Sequence, residues 1–260
     1  MRIGSSSARL MDTLLHAAEP AGVGRADRDA RAGAPPPVTR YLSHALRDGQ
    51  PPIRVARLRQ KGMLRPGVGS SRWLSFESRQ VVTPLSVGFI WDAWVRIVGP
   101  LHLRVVDSYV QGRGSGALSL QSVIPLARDS DRRELNSGAL HRYLAEAVWY
   151  PTALLPSRVL HWSPIDQNRA LATLAHAGQT VALEFRFTDA GEVSGIYTPA
   201  RWEKTADGYR QAPWEGHFHN YIEREGMRVP SEGEVGWYGH GQWRNVWTGS
   251  IVEAAYEFVR

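Results

Sequence analysis

The chain has 260 residues, 43% of them hydrophobic and 22% charged, with a formal net charge of +6 and no cysteine. That length and composition suit one large globular domain or two small ones, and the missing thiols exclude disulfides, thiolate zinc sites and cysteine nucleophiles. The charge is uneven: residues 1–65 hold 12 Arg or Lys against 5 Asp or Glu, while the rest of the chain holds 19 against 20, so the folded bulk offers no basic face for nucleic acid.

Residues 1–34 are rich in Ala, Gly, Arg and Ser. Apart from one possible helix at 9–18, this composition predicts a flexible segment. The apolar stretch LMDTLLHAA is interrupted by Asp12 and Thr13, and no run approaches the roughly 20 apolar residues that cross a membrane. No secretory signal or integral membrane segment is expected, and the expected location is cytoplasmic. PPP at 35–37 marks the entry to a single ordered domain, 35–260, which starts with a short helix over 38–49 ended by Asp48-Gly49.

From residue 53 the hydrophobic period becomes two. Four strands are predicted in succession at 53–65, 72–83, 87–98 and 101–112. A Gly-rich bend and a less regular segment follow to 129, and then a helix over 133–150 with Pro151 and Pro156 beyond it. Strand patterns resume at 158–164, 169–177, 179–188, 192–202, 208–224 and 242–258, separated by Asp, Asn and Gly turns. The sum is a mainly β (α+β) chain of about ten strands. A meander that long must curl to bury one face and protect its edges, which gives a curved antiparallel sheet or half-barrel with helices covering the concave face.

The strings PPPVTRYLSHAL, FIWDAWVRI, VVDSYVQGRGSGAL, RYLAEAVWYPTALLP and PWEGHFHNYIEREGMRVPSEGEVGW resemble a bacterial family built on a domain of unknown function, over roughly residues 35–258. The order of strands and helices is similar to the LolA-like lipoprotein-carrier fold. That resemblance implies a curved sheet that holds acyl chains beneath helices.

Three groupings could carry chemistry. On the mid-chain helix, Leu140, Leu144, Ala147 and Val148 form an apolar stripe at helical spacing, and Arg142, Glu146 and Trp149 fall on the opposite side. An exposed i,i+4 ion pair explains Arg142 and Glu146 alone. Trp149 beside them points to a helix covered on both faces, with Glu146 near an apolar cavity where it could act as general acid or base. Second, a hairpin centred on Gly99-Pro100 places Asp92 opposite Asp107, flanked by Trp94 and Tyr109. Such a pair would share a proton, clasp a cation or belong to an Asp–Arg knot. Third, Glu215, His217 and His219 share one strand face and have the ligand types of a metal site. A solvated polar face explains them more simply, and no metal or other cofactor is expected. The strings RYLSHAL and RYLAEAV echo one another, which chance helical composition explains; a shared role of both helices as plugs of one sheet is the alternative.

The reading that follows is binding of a small hydrophobic or lipid-like molecule in a helix-covered cavity. Glu146, Asp92, Asp107 and Arg142 are its candidate catalytic groups, and Trp94, Tyr109, Trp149, Tyr150 and His44 its candidate ligand contacts. A cyclase- or isomerase-type enzyme using the same cavity is the alternative. A protein-interaction module presenting its tryptophans is a third reading.

Overall fold

In the computed structural model, residues 3–18, 33–66, 70–239 and 241–259 are described. The elements run α1 (Ile3–Ala17), α2 (Pro36–Ala45), β1 (Ile53–Leu64), β2 (Leu74–Thr83), β3 (Gly88–Val98), β4 (Leu101–Val110), β5 (Arg113–Leu120), β6 (Ile124–Ser130), α3 (Arg133–Glu146), β7 (Leu160–Pro164), β8 (Arg169–His176), β9 (Gln179–Phe187), β10 (Val193–Thr205), β11 (Gly208–Arg224), β12 (Met227–Gly239) and β13 (Gln242–Phe258). All 13 strands form one antiparallel sheet in the order β6-β5-β4-β3-β2-β1-β13-β12-β11-β10-β9-β8-β7. Neighbours in sequence are neighbours in space except where β1 pairs with β13 and joins the two halves of the meander.

The architecture is thus the mainly β, curved half-barrel expected from the alternation, with 13 strands in place of about ten. The three additional strands have weak signals. β5 is Gly-rich, β6 is exposed on both faces and so lacks alternation, and β12 carries Pro230 and two internal glycines.

Strand parity sorts the two faces. Phe89, Trp91, Ala93 and Val95 of β3 face the concave side and join α2 and α3 in the main core. Ile90 faces the convex side with Val55, Val81 and Val110, and there it meets Leu14 and Ala18. The helix expected at 9–18 is present and longer, Ile3–Ala17, and it docks on the back of the sheet, with Leu14 1% exposed. The rest of the expected flexible segment up to residue 32 lies outside the described residues.

The curl brings the two wings of the sheet together. The Tyr109 hydroxyl on β4 lies 3.0 Å from Nδ1 of His176 at the end of β8. At the other clasp, Asp129 on β6 accepts hydrogen bonds from the Tyr209 hydroxyl at 2.9 Å and from Lys204 Nζ at 3.3 Å.

α3 lies across the concave face, against β4, β5, β9 and β10. Its start is seated on β5. A Cβ at Gly114 would fall 2.7 Å from the Leu135 carbonyl, so only glycine permits this approach. Asn136 Oδ1 accepts the Gly114 N–H at 2.7 Å. Its core side is fixed by Leu140, Tyr143 and Leu144, all buried; burying each such leucine contributes about 1.5–3 kcal/mol. The helix ends at Glu146, short of the expected 150, because Ala147–Trp149 tighten into a 3-10 turn before Pro151 opens another.

Candidate ligand cavity

Beneath α3 the concave face holds a half-open cavity of about 730 Å³, within the range of about 300–1,000 Å³ typical of small-molecule sites. Much of its wall is aromatic: Phe89, Trp91, Trp149, Trp214, Phe218, Trp237 and Trp247 all line it, with Val95, Leu103, Val105 and Val235 between them. The rings support one another. Trp149 stands perpendicular to Phe218 with centroids 6.0 Å apart and lies 6.3 Å from Trp247. Phe76 bridges Trp91 and Trp247 at 5.9 and 5.7 Å.

One side of the wall is polar. Arg142 Nε donates to Glu146 Oε1 at 2.7 Å, and Arg142 Nη1 donates to Asp107 Oδ2 at 3.1 Å. The guanidinium carbon sits 4.6 Å from the Trp91 ring centroid and 5.3 Å from that of Phe89, so the cation is also held by aromatic faces. Behind Glu146 the chain continues inward. Gln80 Nε2 donates to Glu146 Oε2 at 2.5 Å, and Gln60 Nε2 donates to Gln80 Oε1 at 2.9 Å. Gln60 Oε1 accepts from Ser78 at 3.0 Å and from the Trp91 indole at 2.8 Å. Gln60 and Gln80 are each only 1% exposed. A buried network this fully satisfied holds its members in one arrangement.

Partial desolvation raises the Asp107 carboxyl above its ordinary value, although 40% of the side chain stays open, and Arg142 pulls it partly back. Burial works against the charged form of Arg142, but Glu146 and Asp107 outweigh it and raise its pKa. A second guanidinium, Arg201, lines the cavity from β10. It lies 4.4 Å from the Trp214 ring centroid and 5.3 Å from Trp237. Burial and the nearby Arg142 lower its pKa to about 10.

The structure thus gathers Arg142, Glu146, Asp107 and Trp149 on one cavity and sends the other expected residues elsewhere. Asp92 is the main correction. The β3–β4 turn pairs Val98 with Leu101, as a hairpin centred on Gly99-Pro100 requires, but a bulge between Arg96 and Val98 shifts the register by one. Asp107 therefore stands opposite Trp91, and Asp92 opposite Val106 on the convex face. There Asp92 takes two hydrogen bonds from Arg104, at 2.8 and 2.7 Å, the Asp–Arg knot rather than a carboxylate pair. Trp94 shares that face, 5.7 Å from the Arg104 guanidinium carbon. Tyr109 and Tyr150 are fully buried core residues, and the Tyr150 hydroxyl donates to the Tyr143 carbonyl at 2.6 Å. Neither lines the cavity. His44 on α2 accepts a hydrogen bond from Arg228 Nε at 3.1 Å, also away from the cavity. The third grouping is a hydrogen-bonded cluster: Glu215, itself buried, is held by Arg186, His217 and Tyr238 at 2.9, 2.8 and 2.8 Å. Among the described residues no cluster of three or more His, Asp or Glu is placed to hold a metal ion.

Sequence reasoning missed Gln60, Gln80 and Arg201. The two glutamines did carry a signal: they stand at inward parity with Leu58, Phe76 and Val82, where a strand pattern calls for apolar residues. Arg201 was hidden by a bulge between Thr198 and Arg201, which turns it inward out of parity. Pro199 is the only sequence mark of that bulge.

A family model described as a family of unknown function, DUF6544, matches residues 25–248. The chain belongs to the DUF6544 family. No curated protein matches it. Among solved structures this DUF6544 protein is similar to a domain from Vibrio parahaemolyticus described as an outer membrane lipoprotein-sorting protein, at 8% identity and TM-score 0.43, over 78% of this chain and 85% of that one. It is also similar to a LolA superfamily protein from Nitrosomonas europaea, at 10% identity and TM-score 0.38, over 86% and 93% of the two chains. A DUF1329 family protein from Desulfovibrio piger matches at 8% identity and TM-score 0.42, over 79% and 86%.

Proposed function

We propose that this protein binds a small hydrophobic or lipid-like molecule in the cavity beneath α3. The observation that carries the reading is the wall itself. Six tryptophans and two phenylalanines converge on one space of about 730 Å³, where a structural core would have closed to native density. An apolar chain placed there would exchange water contact for aromatic contact, at about 25 cal/mol per Å² of apolar surface removed from water. Native mass spectrometry of the purified protein tests this by seeking a co-purified apolar molecule. A filling substitution, Val105→Trp, should abolish uptake of an apolar fluorophore with little change in thermal midpoint. Fluorophore binding that survives the filled cavity would reject the site.

A second reading, acid–base catalysis on the same ligand, is favoured by Asp107. Its carboxyl lines the cavity with 40% of the side chain open, and its pKa is raised, the direction that suits a general acid or base. Glu146 is less suited to that role, since Arg142 and Gln80 occupy its two oxygens. Asp107→Asn separates the readings: a carrier keeps its ligand affinity, and an enzyme loses roughly 10²–10⁴ in turnover while still binding.

A further inference from the structure

The polar side of the cavity contains two guanidiniums in different states. Arg142 is committed, with Nε on Glu146 and Nη1 on Asp107. Arg201 forms no ion pair among the described residues. Its one hydrogen bond runs from Nη2 to the Gly138 carbonyl on α3, at 3.1 Å. Its Nε is buried without a partner, and its Nη1 makes no hydrogen bond among the described residues. Desolvating a cation is costly unless an anion or strong acceptors compensate it. The faces of Trp214 and Trp237 and the nearby charges of Glu146 and Asp107 supply part of that compensation, but neither accepts the in-plane N–H bonds of this guanidinium.

A second observation points the same way. Four of the buried polar atoms without a partner belong to residues on the cavity wall: Arg201 Nε, Arg65 Nε, Trp149 Nε1 and Trp214 Nε1. All four are donors, so each buried polar group that lacks a partner on this wall is short of an acceptor, which an acceptor-bearing ligand head would supply.

We propose that the ligand is an amphiphilic monoanion, a long-chain carboxylate, whose head accepts hydrogen bonds from Arg201 while its chain lies on the aromatic wall. This rests on the hydrophobic-cavity reading and adds the head group to it. The planar fork of a guanidinium matches the two oxygens of a carboxylate. A monoanion suits the site better than a phosphate dianion, because Asp107 and Glu146 stand on the same polar side and would repel the second charge.

The test compares four amphiphiles of one chain length below their micellar concentrations: laurate, 1-dodecanol, dodecyl phosphate and dodecyltrimethylammonium. Binding is read from tryptophan fluorescence and calorimetry on the full chain. Laurate should bind tenfold or more tighter than dodecanol, the worth of one charge-assisted pair, and the ammonium weakest. Arg201→Gln should remove the laurate preference and leave dodecanol affinity unchanged. If Arg201→Gln does not fold, Arg201→Lys decides in its place, since it keeps the charge, loses the fork and should reduce the preference. Equal affinities for laurate and dodecanol would overturn the head-group assignment while leaving the cavity reading intact. No binding of any of the four would overturn both. Tighter binding of dodecyl phosphate than laurate would overturn the carboxylate, and a preference that survives in Arg201→Gln would overturn Arg201 as its partner.

Discussion

Arg142 and Glu146 are one helical turn apart and bonded at 2.7 Å, yet both face the cavity under α3, with 19% and 13% of their side-chain surface open. An i,i+4 pair on a solvated helix contributes only about 0.2–0.5 kcal/mol. Here the same pair is part of a chain that runs from Asp107 to Gln60, and removing one member strands the others. Arg142→Leu leaves Asp107 and Glu146 as two carboxylates without their cation. It should cost roughly 3–5 kcal/mol in urea unfolding. Adding Glu146→Leu to that variant should cost much less than Glu146→Leu costs alone. Additive and near-zero effects would show that the pair behaves as a surface one.

His141 neighbours Arg142 on the same helix but has a different fate. It is 5% exposed and hydrogen-bonds the Ser137 carbonyl through Nδ1 at 3.0 Å. Burial, aided by Arg201, lowers its pKa from 6.5 to about 4. The native state thus binds fewer protons than the unfolded chain between those values, and stability rises with pH across that window. On acidification the contribution is lost progressively from pH 6.5 down to about 4, a loss of a few kcal/mol. Asp107, with its raised pKa, slopes the other way, so the difference between wild type and His141→Asn isolates the histidine. The variant's unfolding free energy should depend less steeply on pH in this window. An unchanged slope would place the proton elsewhere.

Asp92 and Asp107 supply a negative control. They lie on opposite faces of the sheet, and Asp92 is bound twice by Arg104. Asp92→Asn should cost about 1–3 kcal/mol by weakening a charge-assisted pair. In a double-mutant cycle with Asp107→Asn the coupling should stay within about 0.5 kcal/mol. A larger coupling would mean that the two carboxylates sense one another through the sheet.

That pair also shows where sequence reasoning stops. Alternation in β1 to β4 and β7 to β11 is a local property, so the curved sheet and its inward face were legible. So was α3, since Trp149 just beyond its end could not belong to a solvated side. Register is not local. One bulged residue at Ile97 reverses every side chain on β4 relative to β3, and another bulge before Arg201 conceals an inward cation. The cavity's polar chain spans β1, β2, β4 and α3. Only the closed sheet brings Gln60 and Glu146 into one network, and no spacing along the chain encodes that.

The N-terminal helix can be tested in isolation. Its Leu14 is 1% exposed and sits on Val81, Ile90 and Val110 at the convex face. Leu14→Ala should destabilise by about 2–5 kcal/mol. The ligand cavity, on the other side of the sheet, should keep its affinity. A variant as stable as wild type would show that α1 contributes no packing in solution.

The last test concerns how the half-barrel stays curled. The turn after β4 meets the turn after β8. A Cβ at Gly112 would lie 2.3 Å from the Ala177 Cβ, whereas one at Gly178 would meet nothing within 4 Å. Both glycines have positive φ, +81° and +76°. Alanine at either position therefore incurs the same left-handed strain, about 1–2 kcal/mol. Only Gly112→Ala also forces the two wings apart. It should be the more destabilising by at least about 1 kcal/mol, as overpacking typically is. The excess should vanish in an Ala177→Gly background, where the opposing methyl is gone and the next atoms, Ala177 Cα and carbonyl oxygen, lie at 3.8 and 4.0 Å. Equal costs at Gly112 and Gly178, or an excess that persists without the Ala177 methyl, would mean that the wings do not meet there in solution and that the Asp129 clasp and α3 hold the sheet closed over the cavity.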